Sequence, residues 1–213
     1  GVRGDFGGAP PRGAAWDAAS VKGERARAWA TSGAPWVLHD DGVGSPNLGT
    51  SVETLRRAKN GVVVVARLRD DDKPDVLSFL AALRWPVIHA DVQSGLREAL
   101  EAAGIAVKRP NAVLRAAGAR DARPDCVLQL GAFPTFAPAT RAWLDAAFGD
   151  NDAPCPKVVV APRAGRVDDD AATTIRCAAR TGAFSAAAAA GLDGLSASAL
   201  LGPLVAAGGA ADR

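Results

Sequence analysis

The sequence predicts an α/β domain. The expected form is a Rossmann-like, mainly parallel sheet flanked by helices, with an extended N-terminal connector. Three observations carry this. Val62-Val63-Val64-Val65-Ala66 and Lys157-Val158-Val159-Val160-Ala161 are continuous apolar runs rich in β-branched residues. Runs of that kind are strands buried on both faces, as in a parallel sheet. Helix-period segments alternate with the strands, which places helices against the sheet. Hydrophobic residues make up 48% of the 213, enough for one core of ordinary size with tails, or for a tight pair of domains.

The elements follow in order. Residues 1–15 are rich in Gly, Pro, Ala and Arg and are expected as a disordered tail, Arg3-Gly4-Asp5 included. Residues 16–59 read as a connector ending in a short helix. Trp16, Trp29 and Trp36 should pin it against a neighbouring surface. Gly42-Val43-Gly44 follows no strand and precedes Pro46, so it fails as a dinucleotide fingerprint. The short helix should run to Lys59, capped by Thr50 or Ser51 and ended by Asn60-Gly61.

The Rossmann-like domain is expected over 60–190. After the Val62 strand, Asp72 offers an N-cap and Pro74 suits a first turn. Val76, Leu77, Leu80 and Leu83 then repeat at helical spacing. Trp85 to His89 is the next strand, followed by helices over 94–103 and 111–117. Cys126 to Leu130 is a strand. Pro138 to Phe148 is a helix with Trp143 and Leu144 turned inward. Lys157 to Ala161 is a buried strand, and Thr173 to Cys177 a short strand expected at the sheet edge. Residues 191–213 read as linker or tail after an Ala-rich helix. Asp193, Pro203 and repeated Gly argue against a membrane span there.

Composition narrows the function. The formal charge is +2, the 25 basic residues are scattered and there is no Tyr, so the pattern of a nucleic-acid binder is missing. Cys126, Cys155 and Cys177 lie far apart, no CxxC pair exists and only two histidines occur. That argues against a zinc site, and the odd cysteine count fits a reducing compartment. No Met occurs, even at position 1. The N-terminus also lacks the charged-then-apolar pattern of a signal peptide. The chain reads as a piece of a longer protein.

Ligands of open α/β sheets bind beyond the carboxyl ends of the strands, where the strand order reverses. Three loops should meet there: 67–72, 89–97 and 131–136. In the second, Arg97 can fork a carboxylate or phosphate, and Ser94 can cap the next helix and add its dipole. The plainer reading pairs Asp91 with Arg97 and leaves Ser94 as a cap alone. His89 has no evident catalytic partner and reads as a structural histidine. Asp70-Asp71-Asp72 and Asp168-Asp169-Asp170 read as surface turns, the first also as a helix cap and at most a weak metal site. Ala66-Arg67-Leu68-Arg69 stands where a glycine turn would admit a pyrophosphate, so dinucleotide binding is not expected. Neither a Walker loop nor a nucleophile elbow is present.

Four motifs then occur in order: "NGVVVVARLRDDD" (60–72), "LRWPVIHADVQSGLR" (83–97), "RPDCVLQLGAFPTFAPATRAWL" (123–144) and "KVVVAPRAGRVDDD" (157–170). Together they resemble the central domain of the 2-succinyl-5-enolpyruvyl-6-hydroxy-3-cyclohexene-1-carboxylate synthase family, over roughly residues 16–190. These are thiamine-diphosphate enzymes of menaquinone and phylloquinone synthesis. The resemblance implies a parent transferase that decarboxylates 2-oxoglutarate and adds the product to isochorismate. It implies thiamine diphosphate and Mg²⁺ in the parent, held by flanking domains, with no cofactor, metal or catalytic residue in this chain. The family's GDG motif with its later paired Asn is missing. Gly149-Asp150-Asn151 matches it only superficially. The implied partners are those flanking domains and further copies of the parent, with no nucleic acid and no membrane. The implied location is the plastid in a plant or alga and otherwise the cytoplasm.

The residues expected to face the cleft are Asp91, Ser94, Arg97, Phe133, Thr135 and Arg141. Many family members carry a Ser-Lys pair where this chain has Phe136 and Ala137. Either Arg141 substitutes for the lysine or the site is altered. The competing reading is a free-standing Rossmann-like module that binds a nucleotide or a small acid.

Overall fold

The computed structural model describes residues 38–40, 48–116, 122–148, 155–162, 173–191 and 196–210. They all belong to one compact unit, Val37–Arg213. The strands are β1 (Leu38–Asp40), β2 (Gly61–Val65), β3 (Val87–Ala90), β4 (Cys126–Leu130), β5 (Lys157–Ala161) and β6 (Thr173–Ala178). The helices are α1 (Gly49–Arg57), α2 (Lys73–Leu83), α3 (Arg97–Ala102), α4 (Pro110–Arg115), α5 (Pro138–Phe148), α6 (Thr181–Ala189) and α7 (Leu201–Ala210). Short 3₁₀ turns, Asp70–Asp72 and Val92–Ser94, precede α2 and α3.

Every strand pair is parallel, and the order is β1-β6-β5-β4-β2-β3. From β2 onward this is the flavodoxin-like doubly wound order, with β1 added outside β6. All residues of β2, β4 and β5 are buried, as their unbroken apolar runs require. The β6 strand is not the edge strand that its shortness suggested. Leu38–Asp40, within the stretch read as connector, pairs along it and takes the edge.

Two apolar layers sandwich the sheet. One gathers Leu55, Phe79, Leu80, Trp85 and Phe184 over one face. The other gathers Val62, Ile88, Trp143, Leu144 and Phe148 over the opposite face. Trp85 is fully buried, and Gly61 makes room for it. A Cβ at Gly61 would lie 2.4 Å from the indole ring, so the first residue of β2 must be glycine. The indole N–H donates to the Ser196 carbonyl at 3.3 Å.

That bond belongs to a larger departure from the sequence reading. Within 191–213, expected as linker or tail, α7 packs on the body and buries Leu201 and Leu204. A Cβ on its Gly208 would meet the Lys108 backbone nitrogen at 2.9 Å. Small residues that look like linker composition here allow close helix contact. Cap chemistry also differs. α1 starts after Leu48 with no side-chain cap, so neither Thr50 nor Ser51 serves that role. Instead, the turn after α1 is held from 65 residues away: the Lys59 and Asn60 N–H groups donate to the Asp125 carboxylate at 2.8 and 2.9 Å. The tryptophans Trp16, Trp29 and Trp36, the Asp168 turn, Gly42–Gly44 and Gly149–Asn151 lie outside the described residues.

Candidate functional site

A parallel sheet brings all its carboxyl ends to one edge, so the loops after β2, β3 and β4 are neighbours there. Two contacts join them directly. The Thr135 N–H donates to Asp91 Oδ2 at 3.2 Å. Gly131, at φ +91°, brings the β4 loop so close to the β2 loop that a Cβ would lie 2.6 Å from the Arg67 carbonyl oxygen.

The second contact decides what the switch point can hold. The chain leaves β2 toward β3 on one side and returns to β4 on the other, so the crevice lies between the ends of β2 and β4. A phosphate there needs open backbone N–H groups. In this chain the Ala66 N–H is spent on the Leu130 carbonyl at 2.8 Å and the Gly131 N–H on the Val160 carbonyl at 2.8 Å. Gly131 packs on Arg67. The one glycine at this position closes the crevice instead of opening it.

Asp91 is the organising residue of the β3 loop. It is buried, and besides Thr135 its carboxylate accepts the Gln93 N–H at 2.9 Å, capping the 3₁₀ turn. The expected pair with Arg97 does not form. Arg97 donates instead to the Ala90 carbonyl at 2.9 Å, so its guanidinium braces the end of β3. Ser94 is fully buried. Its hydroxyl donates to the Asp91 carbonyl at 2.6 Å and accepts the Leu96 N–H at 3.3 Å. It therefore closes the turn ahead of α3, whose N-cap position belongs to Leu96 without a side-chain cap.

Of the remaining expected residues, Phe133 is exposed at a left-handed φ of +52°. Thr135 is exposed at the rim. Arg141 pairs with Asp145 one turn along α5, at 2.9 Å. Asp91, Ser94 and Thr135 are thus joined by hydrogen bonds, Arg97 lies beside them on the Ala90 carbonyl, and Arg141 is engaged on its own helix.

His89 lies beside this group with little exposure. Its ring packs on Phe136, 5.1 Å between centroids, and its Nε2 stands 4.0 Å from Asp91 Oδ2 without a hydrogen-bond partner. Burial holds the imidazole below its ordinary pKa. The nearby Asp91 carboxylate works against that, and the Arg97 charge adds to it.

A cleft of about 570 Å³ opens on this side, between β3, α3, α4 and the β4–α5 loop. It is lined by His89 and Arg97, but also by Lys108, Asn111 and Thr140, which sequence reasoning did not select. No local spacing links 89, 108 and 140. Only the return of the chain beside β3, through the parallel bridge of Ala106 to Val87, brings them together.

In the Asp70-Asp71-Asp72 turn Asp70 and Asp71 are solvated as expected, but Asp72 is buried. Asp72 occupies the N-cap position of α2 but gives that helix no side-chain bond. Its buried carboxylate accepts from Arg180 at 2.8 Å and from the Thr181 hydroxyl at 3.1 Å. Arg180 also bonds Asp71 at 2.6 Å and holds that exposed carboxyl below its usual range. Asp71 and Asp72 are thus engaged with Arg180 and Thr181 at the start of α6, while Asp70 pairs with Lys73 at 2.7 Å, and no group of three or more metal-ligating side chains occurs among the described residues.

A doubly wound α/β domain whose β2–β4 crevice is closed by packing is the class that fold and site define. Residues 23–190 match the family model described as the middle domain of thiamine pyrophosphate enzymes. The chain belongs to that family, and its parent is a thiamine-dependent enzyme. No curated protein matches the chain.

Proposed function

We propose that this chain is the central, non-catalytic domain of a 2-succinyl-5-enolpyruvyl-6-hydroxy-3-cyclohexene-1-carboxylate synthase. In this reading the parent decarboxylates 2-oxoglutarate on thiamine diphosphate with Mg²⁺ and adds the product to isochorismate. The domain spaces and orients the flanking domains that hold the cofactor, and the parent assembles as an oligomer. The order and spacing of the four motifs carry the reading, "WPVIHADVQSGLR" followed by "CVLQLGAFP" above all.

The closed β2–β4 crevice supports a scaffold over the competing nucleotide-binding module. The exposed Phe133 and Val92, 59% and 82% accessible on adjacent loops, suit an edge that meets another domain. The departure at Phe136-Ala137 fits the same view, since Phe136 is engaged in covering His89. None of the helices among the described residues is long and apolar enough to cross a membrane. The proposed location is the plastid for a plant or alga and otherwise the cytoplasm.

The test is the complete parent polypeptide, supplied with thiamine diphosphate, Mg²⁺, 2-oxoglutarate and isochorismate. Formation of the succinyl-enolpyruvyl adduct with stoichiometric CO₂ is expected. Decarboxylation of a different keto acid, with isochorismate ignored, would leave the family in place and remove the specific assignment. An independent start codon directly ahead of this chain would remove the multidomain reading.

A further inference from the structure

One carboxylate oxygen joins the loop after β3 to the loop after β4, and a titratable ring faces it. Asp91 Oδ1 is held by the Gln93 N–H at 2.9 Å, while Oδ2 takes the Thr135 N–H at the longer distance of 3.2 Å. His89 Nε2 stands 4.0 Å from that same Oδ2. It is shut off from water and has no hydrogen-bond partner. A neutral imidazole can leave one nitrogen unused at moderate cost. An imidazolium carries an N–H on both nitrogens, and a buried charged donor without an acceptor is far costlier.

The surroundings give a charged ring one direction to turn. Phe136 closes one side, 5.1 Å between centroids, and packs in turn on the apolar layer that holds Trp143 and Leu144. Arg97 of α3, fixed on the Ala90 carbonyl, repels a second positive charge. The cleft lining adds Lys108 and Arg109, the carboxylate of Glu101 on α3, and neutral Asn111 and Thr140 from α4 and α5. The loop 131–137 carries no charged side chain. Asp91 is therefore the carboxylate placed to receive the Nε2 proton.

We propose that His89 and Asp91 form a proton-operated latch on the β4–α5 loop. With the ring neutral, Asp91 Oδ2 holds the Thr135 N–H. With the ring charged, Oδ2 closes on Nε2–H and gives up the Thr135 N–H, whose bond is already the longer of the two. Burial keeps the ring's pKa below 6.5, so the latch is shut at neutral pH and opens in mild acid. The freed loop carries the exposed Phe133, so the latch sets how that ring is presented at the sheet edge. The inference uses this chain's residues alone and holds whatever reaction the parent performs.

The test is hydrogen exchange of the Thr135 amide, followed by NMR in the 213-residue chain from neutral pH to below the His89 midpoint. Protection is taken relative to an unfolded peptide, which removes the intrinsic pH dependence of exchange. The sequence has two histidines, so H89Q assigns the imidazole signals that give the midpoint. Thr135 protection should fall about tenfold or more as His89 gains its proton, while the β2 amides stay protected. In H89Q, and in H89F, which keeps a ring against Phe136, Thr135 protection should not change over that range. The proposal is overturned if charging His89 leaves Thr135 protection unchanged or raises it, since the bond is then kept or shared. It is also overturned by the same fall in H89Q or H89F, or by an equal fall at the β2 amides, which marks general loosening.

Discussion

Two places at the carboxyl edge of the sheet invite comparison: the crevice between β2 and β4, and the cleft beside β3. Doubly wound folds put their ligands in the first. Here it is closed, because Gly131 lets the β4 loop settle on the Arg67 carbonyl and because backbone N–H groups on both sides are already bonded to neighbouring strands. The second stays open because the chain between α3 and α4 returns beside β3 at one point only, the Val87–Ala106 bridge. The difference shows that fold order marks where a ligand could enter, while one glycine contact and one short bridge decide where space remains.

The largest effect should come from forcing the closed crevice. In G131A a Cβ would sit 2.6 Å from a backbone oxygen, at a φ of +91°. Left-handed strain and overpacking together should cost about 2–5 kcal/mol. Chemical denaturation measures it. A variant within about 0.5 kcal/mol of the parent, the usual range of a neutral surface change, would mean that the loops separate easily and that the crevice is not closed by packing.

A smaller effect, confined to a pH window, should come from the cleft side. The folded chain holds His89 below its ordinary value of 6.5 because burial disfavours the imidazolium. On acidification below about 6.5 the unfolded chain takes up a proton there first, so stability falls with pH until the folded-state value is passed. Urea midpoints at successive pH values should show this loss, and H89Q should lack that part of it. An identical pH slope in H89Q would show that the ring is freely hydrated and that the cleft wall is looser than its geometry indicates.

The smallest effect should come from Arg141, which belongs to neither place. Its pair with Asp145 is half exposed and one helical turn long. R141A should therefore cost only about 0.3–0.5 kcal/mol in thermal or urea melts. If R141A nevertheless lowered turnover of the complete parent several-fold, Arg141 would regain the role of the cation that the β4 loop lacks.

The sequence by itself determined the layer architecture of this protein. Val62–Ala66 and Lys157–Ala161 could only be strands covered on both faces, since a run without polar alternation has no face to give to water. Pro138–Phe148 showed its helix and its buried side through the spacing of Trp143 and Leu144. The absence of a glycine turn at Ala66–Arg69 already spoke against a pyrophosphate site. Those features are local, written in composition and in periods of two or 3.6 residues.

Tertiary structure alone decided the partnerships. Asp72 looks like a helix cap from its neighbours, yet it bonds Arg180, 108 positions away. Asp91 looks paired with Arg97, yet it accepts from Thr135 across two loops, and Arg97 turns back to Ala90. Thr173–Ala178 looks like an edge until Leu38–Asp40 pairs along it. The Gly- and Ala-rich stretch 201–210 looks like linker until Gly208 meets Lys108. A charged or small side chain can be satisfied by many partners at similar cost, so local sequence leaves the choice open. The packing of the sheet and its helices removes the alternatives by deciding which groups lie within hydrogen-bond reach.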